Sequence, residues 1–430
     1  PEFAVYNGLP GRRGELDDYS PEGLAALSDL DRSTLRELDA VSPTDDVDRI
    51  TVAAMRERLG VSVDLADAGE ELRCLNVIAS PVQSLRDGFD NMPTRTEEDW
   101  ADFAPRTRRI DGKDVLETAF TRLTGRSAIL VGGMTPTTVE PDIVAAAANA
   151  GHWVEMAGGG QVSEEILSDH LAGLADRLEP GRAAQFNAMF LDPYLWDLHF
   201  GSRRLVSRKR GSGAPIDGVV SAGVPDPEEA VELVLRLRSE GFPYVAFKPG
   251  TVGQIRQVIA IARELDERGA DIPLIAMIED GQAGGHHSWE SLDELLLATY
   301  ADLRHAGVVL CVGGGLGDPE VAASYLDGSW ALAAGRYAMP VDGVFIGTPL
   351  MASREAATNS QVKRLLVETP GIEEGTWVRR GEVRGGMTSG LSHLRADLYE
   401  IDNSSARASR LIQELAGNEE AMAARRDEMI

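Results

Sequence analysis

Eight short runs of β-branched and other apolar residues recur along the chain from residue 128 onward, and amphipathic segments separate most of them. The runs are AILVG from Ala128, WVEMA from Trp153, AAQFNAMF from Ala183, GVVSA from Gly218, YVAFK from Tyr244, LIAMIE from Leu274, VVLCVG from Val308 and GVFIG from Gly343. This alternation is typical of parallel strands joined by crossover helices. Eight such units close a barrel, so we expect an α/β fold centred on a (β/α)8 TIM barrel.

The segments between the runs support the same architecture. Residues 141–151, 226–241 and 252–269 are helix-like, and each segment ends in Gly, which is favoured just past a helix C-terminus. The alternative is an open doubly wound sheet, which is expected to carry a G-x-G-x-x-G turn after its first strand. The stretch VGGMTPTT at that place matches the turn poorly, so the barrel is favoured.

The first hundred residues have a different pattern. Apolar residues recur there at helical spacing with acids between them, as at Leu24, Leu27, Leu30, Leu35 and Leu38. Expected helix starts are Ser20 before Pro21, Ser42 before Pro43, and Thr96 before Glu97 and Glu98. We expect an all-α segment over residues 1–105 and the barrel domain over 106–430, with C-terminal helical additions from about residue 355.

Composition narrows the class of protein. The 69 acidic and 42 basic side chains give a formal net charge of −27, which repels nucleic acids and anionic membranes, so we expect neither as a partner. The two cysteines, Cys74 and Cys311, exclude a disulfide framework and fit a reducing cytoplasm. The first residue is not Met, and EEAMAARRDEMI at the other end reads as the middle of a helix. We therefore expect the chain to be a piece of something longer.

Glycine-rich stretches follow the last two runs, at the strand ends where barrels of this kind build their sites. They are GGGLGDPE from Gly313 and GTPLMASREA from Gly347. Glycine lets backbone N–H groups approach a phosphate, and a following helix N-terminus adds a favourable dipole. The alternative is that the glycines only make tight turns. Their presence at both loops favours a phosphate site.

Paired histidines follow the sixth run, in AGGHHSWE from Ala283. His exchanges a proton most readily near neutral pH, so His286 and His287 are candidate acids. A metal site is disfavoured because the chain has no HxH, HExxH or convergent Cys pattern. A surface loop with a packed imidazole is the other alternative, and it explains one His more readily than two.

Lys248 follows the fifth run, and Asn187 lies within the third. A lysine at a strand end is commonly a solvated charge. Here it points toward the expected barrel mouth, where a cation can neutralise the electron-rich edge of a flavin or pair with its phosphate. Asn187 offers both a donor and an acceptor. Neither residue alone identifies a flavin.

Longer stretches carry a resemblance to a known family. They are residues 120–162, QFNAMFLDPYLWDL, VAFKPGTV, AGGHHSWESLDELLLATYADLR and GGMTSGLSHLRADLYEIDN. Together, residues 107–430 resemble the enoyl-reductase domain of type I fatty acid synthases of the fungal and actinobacterial type. That domain belongs to the superfamily of FMN-dependent nitronate monooxygenases and flavin enoyl reductases. Asp280 and Gln282 depart from the family pattern, which usually has Gly and Arg at these positions.

The N-terminal segment resembles something else. LNVIASPVQSLRDGFDNMPT, residues 75–94, is similar to the opening of an uncharacterised family of helical, zinc-peptidase-like proteins. The HExxH motif that would carry zinc-peptidase chemistry is absent from this chain. We therefore expect no activity from residues 1–105.

The resemblance of the barrel implies an FMN-dependent enoyl reductase. NADPH or NADH would reduce a trans-2-enoyl thioester on an acyl carrier protein, beside other synthase domains in a homo-oligomeric assembly. His286 is implied as the proton donor, with His287 as helper or substitute. The implied FMN contacts are Gly133, Met134 and Thr135 on the ring system, Asn187 and Lys248 on its polar edge, Gly284 and Gly285 beside the histidines, and Gly313, Gly314, Gly315, Gly347 and Thr348 at the phosphate.

Two alternatives to the reductase stay open. One is an FMN oxidoreductase like the nitronate monooxygenases, and the other is a non-catalytic module of a larger protein. The late segment GGMTSG, which simple monooxygenases are expected to lack, favours the reductase over the first alternative. The presence of His286 and of both glycine loops favours it over the second.

Overall fold

The computed structural model describes residues 21–69, 107–110, 113–372, 376–392, 394 and 396–426. Contacts divide the chain into two compact units, with the boundary between Ala104 and Pro105. The described part of the first unit is a pair of packed helices, α1 (Pro21–Asp39) and α2 (Asp46–Asp67).

The start of the second helix differs from the prediction. We expected it at Ser42, before Pro43, but α2 begins at Asp46. The Asp45 carboxylate accepts a hydrogen bond from the backbone N–H of Asp48 at 2.7 Å, so it caps the free donors of the first turn. The start predicted at Thr96 and the similarity over residues 75–94 lie outside the described residues.

Eight parallel strands in the second unit form a closed barrel, which confirms the predicted fold. An antiparallel hairpin, β1 (Thr107–Ile110) and β2 (Lys113–Leu116), precedes it. The barrel strands are β3 (Ile129–Val131), β4 (Trp153–Ala157), β5 (Ala184–Ala188), β6 (Ile216–Ser221), β7 (Val245–Phe247), β8 (Leu274–Glu279), β10 (Val309–Gly313) and β11 (Gly343–Ile346). Each overlaps a predicted run, neighbours in the barrel follow chain order, and β11 pairs with β3 to close it.

Helices join the strands. They are α3 (Ala119–Thr124), α4 (Pro141–Asn149), α5 (Glu164–Arg177), α6 (Pro193–His199), α7 (Leu205–Gly211), α8 (Pro227–Ser239), α9 (Val252–Glu267), α10 (Leu292–His305) and α11 (Pro319–Asp327). Gly151, Gly241 and Gly269 follow three of these helices with φ of +91°, +87° and +67°. These left-handed glycines end the helices where the sequence predicted.

The barrel interior is filled by its own cluster of buried side chains. Trp153, Tyr244, Met277 and Phe345 belong to this cluster. Because successive side chains of a strand point to opposite faces, residues two further along a strand also point inward, closer to its C-terminal end. This period-two pattern determines which side chains reach the barrel mouth.

The C-terminal region contains a sheet that the sequence interpretation missed. Helix α12 (Ser360–Glu368) is followed by the antiparallel strands β12 (Val383–Arg384), β13 (Met387–Leu391) and β14 (Asp397–Ile401), and then by helices α13 (Ser404–Leu415) and α14 (Glu419–Ala424). Strand β9 (Gly285–His286), in the loop after β8, pairs with β14. We call the segment between β8 and α10, which carries His286 and His287, the histidine loop. The C-terminal sheet, β12–β13–β14–β9, thus includes part of this loop.

Candidate functional site at the barrel mouth

A buried polar cluster lies at the C-terminal ends of three barrel strands. Glu155 of β4 is fully buried and accepts a hydrogen bond from the side-chain amide of Asn187 on β5. Lys248, just after β7, places Nζ 3.2 Å from Oε2 of Glu155 and 5.1 Å from the centroid of the Phe345 ring. The structure thus brings the predicted residues Asn187 and Lys248 together through a carboxylate that the sequence analysis did not select.

The cluster contains more acid than base. Burial acts to lower the pKa of Lys248, but the nearby carboxylates of Glu155 and Glu279 outweigh it and raise that pKa. Burial raises the pKa of Glu279, and the charge of Glu155 adds to this effect while Lys248 opposes it. Lys248 is therefore an ammonium paired with Glu155, and Glu279 holds its proton to higher pH than an ordinary glutamate.

The first strand ends against this cluster. A Cβ on Gly133 would lie 2.7 Å from Oε2 of Glu155 and 2.8 Å from Nδ2 of Asn187, so only glycine fits there without a shift. Met134 faces the eighth strand, since its Sδ lies 3.6 Å from the position of a Cβ on Gly347. The structure thus gathers Gly133, Met134 and Gly347 around one end of the barrel.

Thr135 faces the second loop. Its Oγ1 lies 2.6 Å from the position of a Cβ on Gly159, which follows β4. Thr135 is therefore also at the C-terminal end of the barrel, in contact with the neighbouring loop.

The loops after β8, β10 and β11 meet at glycines. Gly314 and Gly315 have φ of +110° and +65°, a backbone conformation that side chains rarely adopt. A Cβ on Gly313 would lie 2.2 Å from the Phe345 ring, and one on Gly284 would lie 2.3 Å from Oγ1 of Thr348. The two predicted phosphate loops are therefore neighbours, and Gly284 of the histidine loop packs against the second of them.

Asp280 lies at the same junction. It is buried, and the position of a Cβ on Gly314 is only 1.9 Å from its Oδ1. Burial and the neighbouring carboxyl of Glu279 raise the pKa of Asp280 to about 6, against hydrogen bonds from backbone N–H groups. Gln282 packs nearby, with Oε1 3.0 Å from the position of a Cβ on Gly315. Asp280 and Gln282, the two positions that depart from the family pattern, therefore both face the loop after β10, which contains Gly314 and Gly315 and which we call the first glycine loop.

The two histidines have different environments. The His287 ring stacks on Tyr399 with centroids 3.6 Å apart, and its Nδ1–H donates to the backbone oxygen of Ser288 at 2.7 Å. Burial lowers the pKa of His287, so its ring is neutral at pH 7. His286 is exposed, and its backbone, like that of Gly285, pairs with β14.

The histidine loop also contacts the loop that carries Lys248. A Cβ on Gly250 would lie 3.2 Å from the backbone oxygen of Glu279 and 3.3 Å from Cβ of Ser288. The loops after β7 and β8 thus pack together at the barrel mouth. In the part of the chain that the structure describes, no group of three His, Cys, Asp or Glu side chains is arranged to hold a metal ion.

Comparisons with known proteins match the two parts of the chain differently. A family described as "Fatty acid synthase subunit beta/Fas1-like, helical" matches residues 273–430. A family described as "Bacterial protein of unknown function (DUF885)" matches residues 1–178 and thus extends past β4 into the barrel. Among the described residues, no helix is both long and apolar enough to cross a membrane.

Curated relatives of this chain include fatty acid synthase β subunits. The β subunit aflB of Emericella nidulans is 37% identical over 280 residues, 64% of this chain and 13% of its own length. The β subunit pkiC of the same organism is 34% identical over 81% of this chain and 18% of its own length. The Saccharomyces cerevisiae β subunit is 32% identical over 67% and 14%. The chain thus spans less than a fifth of the length of these three relatives.

Solved structures resemble the fold more distantly. A mutant mandelate oxidase with a monooxide FMN adduct has a TM-score of 0.36 and 17% identity, over 61% of this chain and 75% of its own. The carboxyl transferase domain of Rhizobium etli pyruvate carboxylase has a TM-score of 0.34 and 15% identity, over 57% and 46%.

The fold and the site define a (β/α)8-barrel protein with a buried polar cluster and glycine-rich loops at the C-terminal ends of its strands. Within that class, the chain is a homologue of part of the fatty acid synthase β subunits.

Proposed function

We propose that residues 106–430 form an FMN-dependent enoyl reductase that uses NADPH or NADH to saturate trans-2-enoyl thioesters carried by an acyl carrier protein. One observation carries the proposal: in a homologue of synthase β subunits, the buried Glu155–Lys248–Asn187 cluster lies beside glycine-rich loops at the barrel mouth. By its homology, the chain acts with other synthase domains, and we place that assembly in the cytoplasm. Residues 1–105 form a separate helical segment in this proposal.

The residues present fit FMN in shape. Gly314 and Gly315 take positive φ, and Gly315 and Gly347 carry no side chain that would block the backbone, which suits the close approach of a phosphate. Oε1 of Glu155 is buried without a hydrogen-bond partner, so the cluster has an acceptor that can still receive a hydrogen bond. Gly133 packs against the same cluster, where an added Cβ would lie 2.7 Å from Oε2 of Glu155, and it is a proposed contact of the ring system. The Asp280 carboxylate beside Gly314 is the feature that opposes a phosphate in charge.

FMN, when bound, supplies the transfer of a hydride from the nicotinamide to the β-carbon of the enoyl thioester. The chain's own residues hold and protonate the reactants. Lys248, fixed by Glu155, offers a buried cation to an electron-rich edge, and Asn187 offers an amide. Gly284 and Gly285 are proposed contacts of the ring system, and Gly284 lets the histidine loop pack against Thr348.

Addition of hydride at the β-carbon leaves negative charge on the thioester, and a proton delivered to the α-carbon completes the saturated product. We assign that proton to His286. Its ring is exposed, whereas His287 is stacked on Tyr399 and uses Nδ1–H on Ser288. His287 then holds the loop in place, and because its ring is neutral at pH 7 it can substitute for His286 only after taking up a proton at Nε2.

The test is to identify the cofactor and the reaction of the purified chain. Flavin released by heat is expected to be FMN, and NADPH oxidation is expected to require crotonyl thioester, with butyryl thioester as the product. Release of FAD, or no flavin after reconstitution, would contradict the proposal. Oxygen consumption with a nitronate, without any enoyl reduction, would assign the chain to the monooxygenases instead.

A further inference from the structure

The Asp280 carboxylate occupies the side of the first glycine loop that Gly314 leaves open. Asp280 follows β8 directly, and its surface is only 4% exposed. A Cβ on Gly314 would lie 1.9 Å from its Oδ1, so the carboxylate contacts the backbone of this loop. Oδ1 also accepts a hydrogen bond from the N–H of Gln282 at 2.9 Å. A carboxylate thus lies where the proposed function requires a phosphate to approach.

The groups that face Asp280 do not neutralise it. Glu279 is a second acid and raises the pKa of Asp280, in addition to the larger effect of burial. Tyr399 of β14 is an electrostatic neighbour whose hydroxyl is neutral in this pH range, and burial raises its pKa further. Gln282, against Gly315, carries no charge. Backbone N–H groups of Gln282, Leu292 and Ala283 stabilise the ionised carboxylate of Asp280 by hydrogen bonding.

We propose that Asp280 controls how tightly this site retains a phosphorylated flavin, because it places a titratable carboxyl beside the loop that faces the phosphate. The inference rests on the proposed function, since it needs the FMN phosphate at Gly314 and Gly315. The ionised carboxylate repels the phosphate, and in a buried position this repulsion is weakly screened. The protonated carboxyl instead donates a hydrogen bond to a phosphate oxygen.

The direction of the pH effect follows from the pKa of Asp280, which lies near 6. At pH 8 the carboxylate is ionised and FMN binds weakly. At pH 5 the carboxyl is protonated and FMN binds more tightly. Riboflavin has the same ring system without the phosphate, so its affinity is independent of Asp280.

The experiment measures the affinity of the deflavinated full chain for FMN and for riboflavin, from quenching of flavin fluorescence. Asp280→Asn keeps the Oδ1 acceptor for Gln282 and removes the charge. At pH 8 we expect the variant to bind FMN about tenfold more tightly than the parent, while riboflavin affinity changes less than about twofold. Asp226→Asn is the matched control, because Asp226 is an exposed acid that caps α8, and it is expected to change neither affinity.

The FMN phosphate also titrates over this pH range, but its titration affects the parent and the Asp280→Asn variant equally. The ratio of their FMN affinities at each pH therefore isolates the contribution of Asp280. The ratio of FMN affinities, variant over parent, is expected to fall from about ten at pH 8 toward one at pH 5. Asp280→Ser is the second charge-free variant if Asp280→Asn folds poorly, which circular dichroism checks.

The outcomes separate the two claims. Equal FMN affinity of variant and parent at pH 8, or equal gains for FMN and riboflavin, would overturn the role of Asp280 while leaving the flavin site in place. Failure of every protein to bind either flavin would instead refute the proposed function, and the inference with it.

Discussion

Two charged side chains, Glu155 and Lys248, lie inside the barrel. Glu155 has no exposed surface, and Lys248 is nearly buried, so each needs the other. The sequence contained the signal for Glu155, since WVEMA places one acid in an apolar run, two residues beyond an aromatic side chain. Its pairing with Lys248 was not visible, because that contact joins β4 to the loop after β7.

The ion pair gives the first prediction. Lys248→Met leaves Glu155 buried without its cation and is expected to lower the free energy of unfolding by about 3 kcal/mol. In the double variant Lys248→Met/Glu155→Gln, most of that loss is expected to be recovered. Urea denaturation of the four proteins of the cycle measures the coupling.

An exposed ion pair is the control for this cycle. Arg177 and Asp142 are 2.7 Å apart with side chains 44% and 59% exposed. Arg177→Met is therefore expected to cost less than about 1 kcal/mol. If Lys248→Met lowers the free energy of unfolding by no more than Arg177→Met does, the buried pair contributes no more to stability than an exposed one.

The second prediction separates the two half-reactions by residue. Hydride transfer from NADPH to the flavin needs no protein acid, so His286→Ala is expected to reduce its flavin normally. Its turnover of crotonyl thioester is expected to fall by roughly 10²–10⁴-fold, the contribution of a positioned general acid. Stopped-flow absorbance measures the first step, and steady-state NADPH oxidation measures the second.

His287→Ala is the companion variant. Because its ring is stacked on Tyr399, this change is expected to lower stability more than it lowers turnover. Parental turnover in the double variant His286→Ala/His287→Ala, with flavin reduction not rate-limiting, would show that neither imidazole is the acid. Glu279, which holds its proton to higher pH, would then be the next group to test.

At the element scale, the strands of the barrel were predictable, and the C-terminal sheet was not. Each barrel strand is a compact apolar run between helices, which is a local signal. Strands β13 and β14 read MTSGL and DLYEI, which combine small, polar and acidic residues without clear alternation. Strand β9, which pairs with β14, has only two residues and lies more than a hundred positions earlier in the chain. Long-range pairing of this kind leaves no periodic pattern in the sequence.

The glycine loops give the third prediction. At Gly347 the nearest atoms to an added Cβ belong to Met134, at 3.6 and 3.9 Å, which is ordinary contact. Gly347→Val is therefore expected to fold, while its branched side chain fills the space beside the phosphate loop and reduces FMN retention at least tenfold. The flavin-to-protein absorbance ratio of the purified protein measures this.

Two other glycines calibrate the result. Gly314→Val is expected to lose both stability and flavin, because Gly314 has a φ of +110° and an added Cβ would lie 1.9 Å from Oδ1 of Asp280. Gly253→Val, on α9, has nothing closer than 3.8 Å and is expected to keep its flavin. Full flavin content in Gly347→Val would place the phosphate elsewhere.

At the scale of the whole molecule, the proposed site lies entirely within residues 105–430. The described part of the other unit consists of two helices. The spacing of apolar residues predicted that this unit is helical. No catalytic or binding residue was predicted in it.

The fourth prediction follows from this division. Removal of residues 1–104 is expected to leave flavin content, NADPH oxidation and turnover of crotonyl thioester within about twofold of the full chain, because the barrel has its own core. Equal molar amounts of the two proteins are compared in one assay. A soluble, flavin-loaded truncation without enoyl turnover would show that the first unit contributes to substrate binding.

An anaerobic absorbance titration of the flavin-loaded full chain tests whether the barrel mouth is an FMN-dependent enoyl reductase. Addition of NADPH is expected to bleach the visible absorption band of the oxidised flavin, because the cofactor accepts a hydride. Addition of crotonyl thioester is then expected to restore it, with one butyryl thioester formed per flavin reoxidised. A flavin that NADPH does not reduce, or that only oxygen reoxidises, would show that the chain is not an NADPH-dependent enoyl reductase.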